Sequence, residues 1–199
     1  MGTTNLETME EKRRQFSTVL KNISPSNVIS IDETCLYTKL TPTKRWTKKG
    51  TRTYLPVQRL ESKRFSLITA MSNGHIVHSE LLEGAVNEKL FRSFISNIPE
   101  CGREYVLMDN VSFHKTKEVR SDIAKKGWKP VYTSPYSPEW NPTEMYFSYM
   151  KRRLRKCYHT RMDSLETFLQ TLHETMESGL CNNWFNHVWK MVSVGKHRQ

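Results

Sequence analysis

The sequence lacks any apolar run of the roughly eighteen residues needed to span a bilayer, and its N-terminus lacks the apolar segment of a signal peptide. We therefore expect a soluble, intracellular protein, nuclear in a eukaryotic host and cytoplasmic otherwise. Cysteine is also scarce. Cys35, Cys101, Cys157 and Cys181 lie far apart and form no CxxC pair, which argues against a disulfide framework or a zinc ribbon and predicts reduced thiols.

Acidic residues are too few to balance the basic ones. The 199 residues include 31 Lys and Arg against 20 Asp and Glu, which gives a formal net charge of +11. Such an excess of positive charge indicates a polyanionic partner, with nucleic acid favoured over a membrane surface. With 37% hydrophobic residues, the chain is long enough for one core of moderate size and a helical tail.

Hydrophobic periodicity predicts an α/β fold. Alternating segments rich in β-branched residues predict three strands, the second and third joined by a type I′ turn at Asn73-Gly74. Strands that then alternate with helices indicate a mixed five-stranded sheet flanked by helices. The predicted strands lie in 27–38, 64–84, 104–110 and 128–134, and the predicted helices in 6–22, 87–98, 115–127, 163–179 and 182–192, with a further, basic helix whose first position is Pro142.

These elements divide the chain into three predicted segments. We expect an N-terminal lead-in helix in 1–27, a core domain in 28–160 and C-terminal helices in 161–199. A polar, basic insertion interrupts the core at about residues 38–63. Its irregular pattern predicts an extended loop or ribbon anchored by Trp46, Tyr54 and Leu55.

Three acidic residues occupy places where ligands gather in mixed sheets. Asp32 ends the first strand, Asp109 ends the fourth, and Glu144 begins a basic helix. Asp32 and Asp109 are also compatible with ordinary acids that leave a strand for a turn. The segment Asn141-Pro142-Thr143-Glu144 has capping-box spacing, so capping alone would account for Glu144.

The helix that begins at Glu144 has two contrasting faces. Its apolar stripe comprises Tyr146, Phe147, Met150, Leu154 and Cys157. Its opposite face comprises Glu144, Ser148, Lys151, Arg152 and Arg155. A polyanion that lies along this cationic track would end at the carboxylate. Three carboxylates that converge from separate elements would bind hard divalent cations such as Mg²⁺, which outlines a two-metal phosphodiester site.

The segments SIDET, LMDNVSFH and YSPEWNPTEMYFSYMKRRLR, with 34 residues between Asp109 and Glu144, resemble the catalytic domain of mariner-like DDE transposases and related bacterial insertion-sequence transposases. The resemblance extends from about Val28 to Leu154. It implies a ribonuclease H-like fold in which Asp32, Asp109 and Glu144 hold two Mg²⁺ ions, replaceable by Mn²⁺. It further implies DNA cleavage and strand transfer by a homodimer on transposon ends and target DNA, with no membrane partner.

The same resemblance suggests which residues contact DNA or lie near the site. The basic insertion sits where mariner-like enzymes carry a loop that clasps the partner subunit, and an ordinary solvated basic loop accounts for it equally well. Asn110, His114 and Asn141 are expected near the carboxylates, with a purely structural role as the alternative for His114. The expected DNA contacts are Lys44, Arg45, Trp46, Lys48, Lys49, Lys151, Arg152 and Arg155.

The chain departs from the family pattern at its N-terminal end. About 27 residues precede the first predicted strand, too few for the helix-turn-helix modules that family members place there. We expect a catalytic fragment, an element that has been reduced, or a partner that supplies end recognition. Two further hypotheses stay open, a catalytically silent DNA-binding protein of the same fold and a structure-selective DNA resolvase.

Overall fold

The computed structural model describes residues 3–37, 48–51, 63–157, 165–177 and 179–194, with a five-stranded sheet at its centre. In chain order the elements are α1 (Thr3–Lys21), β1 (Val28–Tyr37), β2 (Arg64–Met71), β3 (Ile76–Glu83), α2 (Glu88–Asn97), β4 (Tyr105–Met108), α3 (Lys117–Lys125), β5 (Lys129–Tyr132), α4 (Pro142–Cys157), α5 (Leu165–Thr175) and α6 (Leu180–Val194). Short 3₁₀ turns cover Pro25–Asn27, Ser112–Lys115 and Pro138–Trp140.

The strand order β3-β2-β1-β4-β5 makes the sheet mixed. β1, β2 and β3 pair antiparallel, whereas β4 pairs parallel to both β1 and β5. The pairing of β1 with β4 ends at Ser30 and Leu107, while β1 continues beside β2 as far as Tyr37. The predicted mixed five-stranded sheet is confirmed, and its central ladder opens just before Asp32.

Alternation along β1 supplies two separate cores, one on each face of the sheet. Ile29 and Ile31 face α2 and α3, where they pack with residues such as Phe91 and Val119. Val28 and Leu36 face the opposite side, where α1, α4, α5 and α6 share a second core. Residues of even number on β1 therefore point toward α4, and residues of odd number point toward α2 and α3.

The N-terminal and C-terminal helices pack on the same side of the sheet. The ring of Phe16 in α1 stacks on Trp140 with centroids 5.3 Å apart, and Trp140 is buried. Ser17 donates a hydrogen bond to the carbonyl of Val192, and the indole of Trp189 donates one to the carbonyl of Ile23. Within the described residues, none of the helices combines the length and apolar character that crossing a bilayer demands.

The connection between β2 and β3 differs from the predicted type I′ turn. Asn73 and Gly74 would both need positive φ in such a turn, and neither has it. The buried hydroxyl of Ser72 instead accepts hydrogen bonds from the backbone N–H groups of Gly74 and His75, at 3.3 and 3.4 Å. The prediction was wrong because this side chain supplies the acceptor that stabilises a longer connection.

Candidate active site

Asp32 lies on β1 just beyond the residues that pair with β4, and its side chain points toward α4. The residue is only 6% exposed. Its Oδ1 accepts a hydrogen bond from the backbone N–H of Glu33 at 2.9 Å, and its Oδ2 accepts one from Nδ2 of Asn141 at 3.1 Å. These two donors hold both carboxylate oxygens of Asp32 in a defined orientation.

Asn141 connects Asp32 to the start of α4. Its Oδ1 accepts hydrogen bonds from the N–H of Thr143 at 3.1 Å and from the hydroxyl of Ser30 at 2.5 Å. The hydroxyl of Thr143 in turn donates to Ser30 at 2.8 Å. All four residues are buried, and the network fixes the first turn of α4 against β1. Sequence reasoning missed Ser30 and Thr143, although a serine at a core-facing strand position was a usable signal.

Glu144 contributes a carboxylate that is not needed for capping. The backbone N–H of Asn141, which a capping box would pair with Glu144, donates instead to the carbonyl of Pro138 at 2.9 Å. The 3₁₀ turn Pro138–Trp140 therefore supplies the acceptor that the sequence assigned to Glu144. The prediction that Glu144 caps the helix is therefore wrong. The side chain of Asn141 does cap it, by accepting a hydrogen bond from the N–H of Thr143.

Asp109 follows β4 and is held by a buried histidine. Oδ1 of Asp109 lies 2.7 Å from Nδ1 of His114, while Nε2 of His114 lies 3.5 Å from Oε2 of Glu33. Burial alone would lower the pKa of His114, but its contacts with Asp109 and Glu33 raise that pKa to about 9. The imidazole is therefore protonated at neutral pH and sits between two carboxylates.

The three acidic residues line one cleft with a volume of about 370 Å³. Asn110 and Asn141 line the same cleft, whereas His114 lies beneath it. One wall is the segment 133–138, in which Tyr136 is 82% exposed and has a φ of 55°. The expected neighbours Asn110 and Asn141 are thus brought to the carboxylates.

Negative charge in the cleft is only partly compensated. Burial, followed by the charges of Glu144, Asp109 and Glu33, raises the pKa of Asp32 well above the usual range of an aspartate. Burial also raises the pKa of Glu144, against the opposing effect of Lys151. Both shifts mean that the folded protein resists ionisation of these carboxylates, as expected where carboxylates share a site.

The donor atoms of the cleft suit a hard divalent cation. Within the described part of the chain, its lining offers carboxylate, amide, hydroxyl and backbone oxygens and neither thiol nor imidazole. Such a set fits Mg²⁺ or Mn²⁺ better than softer metals. Among the described residues, no three side chains of His, Cys, Asp or Glu are grouped closely enough to form a ready-made metal site. The carboxylates therefore share a cleft without forming a closed cluster.

The predicted track on α4 is partly exposed. Arg152 and Arg155 are exposed, whereas Lys151 is half-buried and donates a hydrogen bond to the hydroxyl of Thr34 at 2.5 Å. In the apolar stripe, Tyr146, Phe147, Met150 and Leu154 are buried. The side chain of Cys157 is not among those that the structure describes. Lys48 and Lys49 are exposed, and Lys44, Arg45 and Trp46 lie outside the described residues.

Comparison with known proteins places this geometry in context. The family model of DDE superfamily endonucleases matches residues 27–168. Curated proteins gave no match. Among solved structures, the Mos1 mariner paired end complex with Mn is similar over 97% of this chain and 64% of that one, with 20% identity and a TM-score of 0.78. The catalytic domain of Mos1 mariner transposase is similar over 97% of each chain, with 18% identity and a TM-score of 0.67.

These similarities define the fold. The Mos1 strand transfer complex gives a TM-score of 0.79 at 20% identity, over 97% of this chain and 63% of that one. The predicted ribonuclease H-like fold is thereby confirmed. The present chain spans about 64% of the length of the Mos1 chain in the paired end complex.

We expect Asn141→Ala and Glu144→Gln to differ sharply in stability. Asn141→Ala removes the helix cap and leaves buried groups of Ser30 and Asp32 without a partner, so unfolding free energy should fall by about 2–4 kcal/mol. Glu144→Gln should change it by less than about 0.5 kcal/mol. Urea denaturation in chelator measures both. Equal losses would restore a capping role for Glu144.

The raised pKa of Asp32 predicts how divalent cations stabilise the protein. A carboxyl pKa that is higher in the folded chain makes metal-free stability fall as pH rises above about 4, the ordinary value. Mg²⁺ competes with the proton, so the Mg²⁺-induced rise in Tm should grow between about pH 5 and pH 8.

Two matched variants test this prediction. Asp32→Asn should lose the growth of the Mg²⁺-induced rise in Tm with pH, whereas Asp122→Asn should keep it. Asp122 pairs with Arg92 and Lys125 outside the cleft, and those contacts lower its pKa. A Mg²⁺ increment that is the same at both pH values, or that survives in Asp32→Asn, would contradict the prediction.

Proposed function

Because the chain belongs to the DDE superfamily of endonucleases, we propose that it cleaves phosphodiester bonds of DNA in the cleft between β1, β4 and α4. The observation that carries the proposal is that Asp32, Asp109 and Glu144 come from three separate elements and line the same cleft. Their carboxylates provide hard oxygen ligands, and their mutual repulsion favours a cation between them.

In this proposal Asp32, Asp109 and Glu144 hold Mg²⁺ or Mn²⁺. When bound, such cations lower the pKa of an attacking water and stabilise the charge on the leaving oxygen. Asn141 orients Asp32 from the side of α4, and His114 holds Asp109 from below the cleft. Glu144 is the least constrained of the three, because it stands at the start of α4 with Lys151 nearby.

We propose DNA as the substrate and strand transfer as the second step. The similar Mos1 structures are described as paired end and strand transfer complexes. By analogy, two copies of the present chain would act together on two transposon ends and a target. This part of the proposal rests on similarity of fold alone. The present chain spans 64% of the compared Mos1 chain.

The exposed arginines of α4 are proposed to contact DNA phosphates. Arg152 and Arg155 lie on α4, which carries Glu144 in its first turn, so a DNA backbone bound along them would approach the cleft. Lys151 is tied to Thr34 and is better placed to offset the charge of Glu144 than to reach DNA. Lys48 and Lys49, and with them Lys44, Arg45 and Trp46, are proposed as a second group of contacts.

Cleavage of supercoiled plasmid tests the proposed activity. Asp32→Ala, Asp109→Ala and Glu144→Ala should each abolish Mg²⁺-dependent nicking while DNA retardation on gels stays close to that of the unmodified chain. Glu118→Gln, an exposed acid on α3, should nick normally. If the unmodified chain retards DNA but never nicks it with Mg²⁺ or Mn²⁺, the silent DNA-binding hypothesis replaces this one. Preference for branched over linear duplex would indicate a resolvase.

Phosphate contacts by α4 predict a change in the salt dependence of DNA binding. Replacement of Arg152 and Arg155 by Gln together should weaken binding to all sequences and reduce the slope of log K against log salt by about 2, roughly one unit for each contact. Lys117→Gln with Arg120→Gln on α3 removes the same charge from another exposed surface. Equal effects of the two double variants in fluorescence anisotropy titrations would show that net charge, not the α4 track, governs binding.

A further inference from the structure

The carboxylate of Glu33 lies on the opposite face of the sheet from Asp32. Because neighbouring residues on a strand point to opposite sides, Asp32 faces α4 while Glu33 faces α2 and α3. There Oε2 of Glu33 lies 3.5 Å from Nε2 of His114, and Nδ1 of the same imidazole lies 2.7 Å from Oδ1 of Asp109. Glu33, His114 and Asp109 thus form a continuous chain of polar side chains beneath the cleft.

The imidazole of His114 has no freedom to reach the cleft. The residue is fully buried, with its ring stacked on Phe91 at 4.2 Å between centroids and edge-on to Phe113 at 4.3 Å. Its backbone carbonyl accepts a hydrogen bond from the hydroxyl of Tyr132 on β5 at 3.1 Å. His114 is therefore absent from the lining of the cleft and contacts Asp109 from beneath it.

This chain of groups crosses the place where the central ladder opens. The pairing of β1 with β4 ends at Ser30 and Leu107. Asp32 and Asp109 lie beyond this end, so the hydrogen bonds between the two strands do not set the distance between them. On the α4 side, Asn141 holds Asp32. On the α2 side, the link from Glu33 through His114 holds Asp109.

The contact leaves one oxygen of Asp109 free to face the cleft. Oδ1 is buried, whereas the side chain as a whole is 39% exposed and lines the cleft. His114 also approaches the backbone carbonyl of Asp109 at 3.5 Å, but its contact with Oδ1, at 2.7 Å, is the shorter of the two. A histidine that fixes Oδ1 thereby also fixes the direction in which Oδ2 points.

We propose that Glu33 and His114 are positioning residues. Glu33 orients the imidazole of His114, and this imidazole turns one oxygen of Asp109 toward the bound cation. The inference rests on the proposed function in that Asp109 must be a cation ligand. It adds a role for Glu33, a residue that does not line the cleft. Partners of this kind commonly change metal affinity by about 10- to 100-fold when they are removed.

The test measures Mn²⁺ binding by electron paramagnetic resonance of the free ion, without DNA and therefore without catalysis. Glu33→Ala should raise the Kd for Mn²⁺ by about 10- to 100-fold. Glu33→Gln keeps a side-chain oxygen of the same reach beside Nε2 of His114, so its Kd should stay within about threefold of the unmodified chain. If Glu33→Ala does not fold, Glu33→Thr suits a strand, cannot reach His114 and should show the same loss.

Glu80→Ala is the matched control, because Glu80 on β3 also pairs with a histidine, His78, at 2.8 Å but lies away from the cleft. Its Kd should not change. A loss in Glu33→Gln as large as in Glu33→Ala would assign the effect to net charge and overturn the positioning role.

Asp109→Asn separates failure of this inference from failure of the proposed function. If Asp109→Asn loses Mn²⁺ binding while Glu33→Ala binds as the unmodified chain does, the positioning role is wrong and the cation site stands. If neither substitution changes the Kd, Asp109 is not a ligand, and both the proposed site and this inference are overturned.

Discussion

The buried amide of Asn141 joins parts of the molecule that the sheet alone leaves separate. Its nitrogen serves Asp32, and its oxygen serves both Ser30 on β1 and the first turn of α4. A buried amide left without partners is costly, so the residue favours only arrangements in which strand, helix and carboxylate meet. The position of Glu144, in the first turn of the same helix, depends on that junction.

Electrostatics explains why the junction has to be strong. Asp32 and Glu144 both have raised pKa values in the folded chain, so the folded state disfavours the ionised form of both carboxyl groups. The protonated His114 offsets part of that charge from the far face of the sheet, where Phe91 and Phe113 exclude water. The two hydrophobic cores hold together a group of carboxylates that would separate in water, and such local conflict is typical of functional sites.

The positions of the carboxylates were easier to predict from the sequence than the residues that contact them. Hydrophobic periodicity predicts the strands and the start of α4, whereas the resemblance to mariner-like transposases implied that Asp32, Asp109 and Glu144 lie together. Glu33 and His114 are separated by 80 positions that include three strands and one α-helix, and no local pattern encodes their pairing. The acceptor for the N–H of Asn141 was missed for a similar reason, because a 3₁₀ turn competes with the capping box.

The region matched by the family model begins at residue 27, yet the wall of the cleft is held partly by α1. Arg13 donates hydrogen bonds to the hydroxyl of Ser137 and the carbonyl of Tyr136, both at 3.1 Å. Tyr136 has positive φ without being glycine, a conformation that costs on the order of 1–3 kcal/mol and persists where neighbours enforce it. Phe16 on the same helix stacks on Trp140, just after this wall. Because these contacts come from outside the matched region, the shape of the cleft depends on α1 as well as on the elements that carry the three carboxylates.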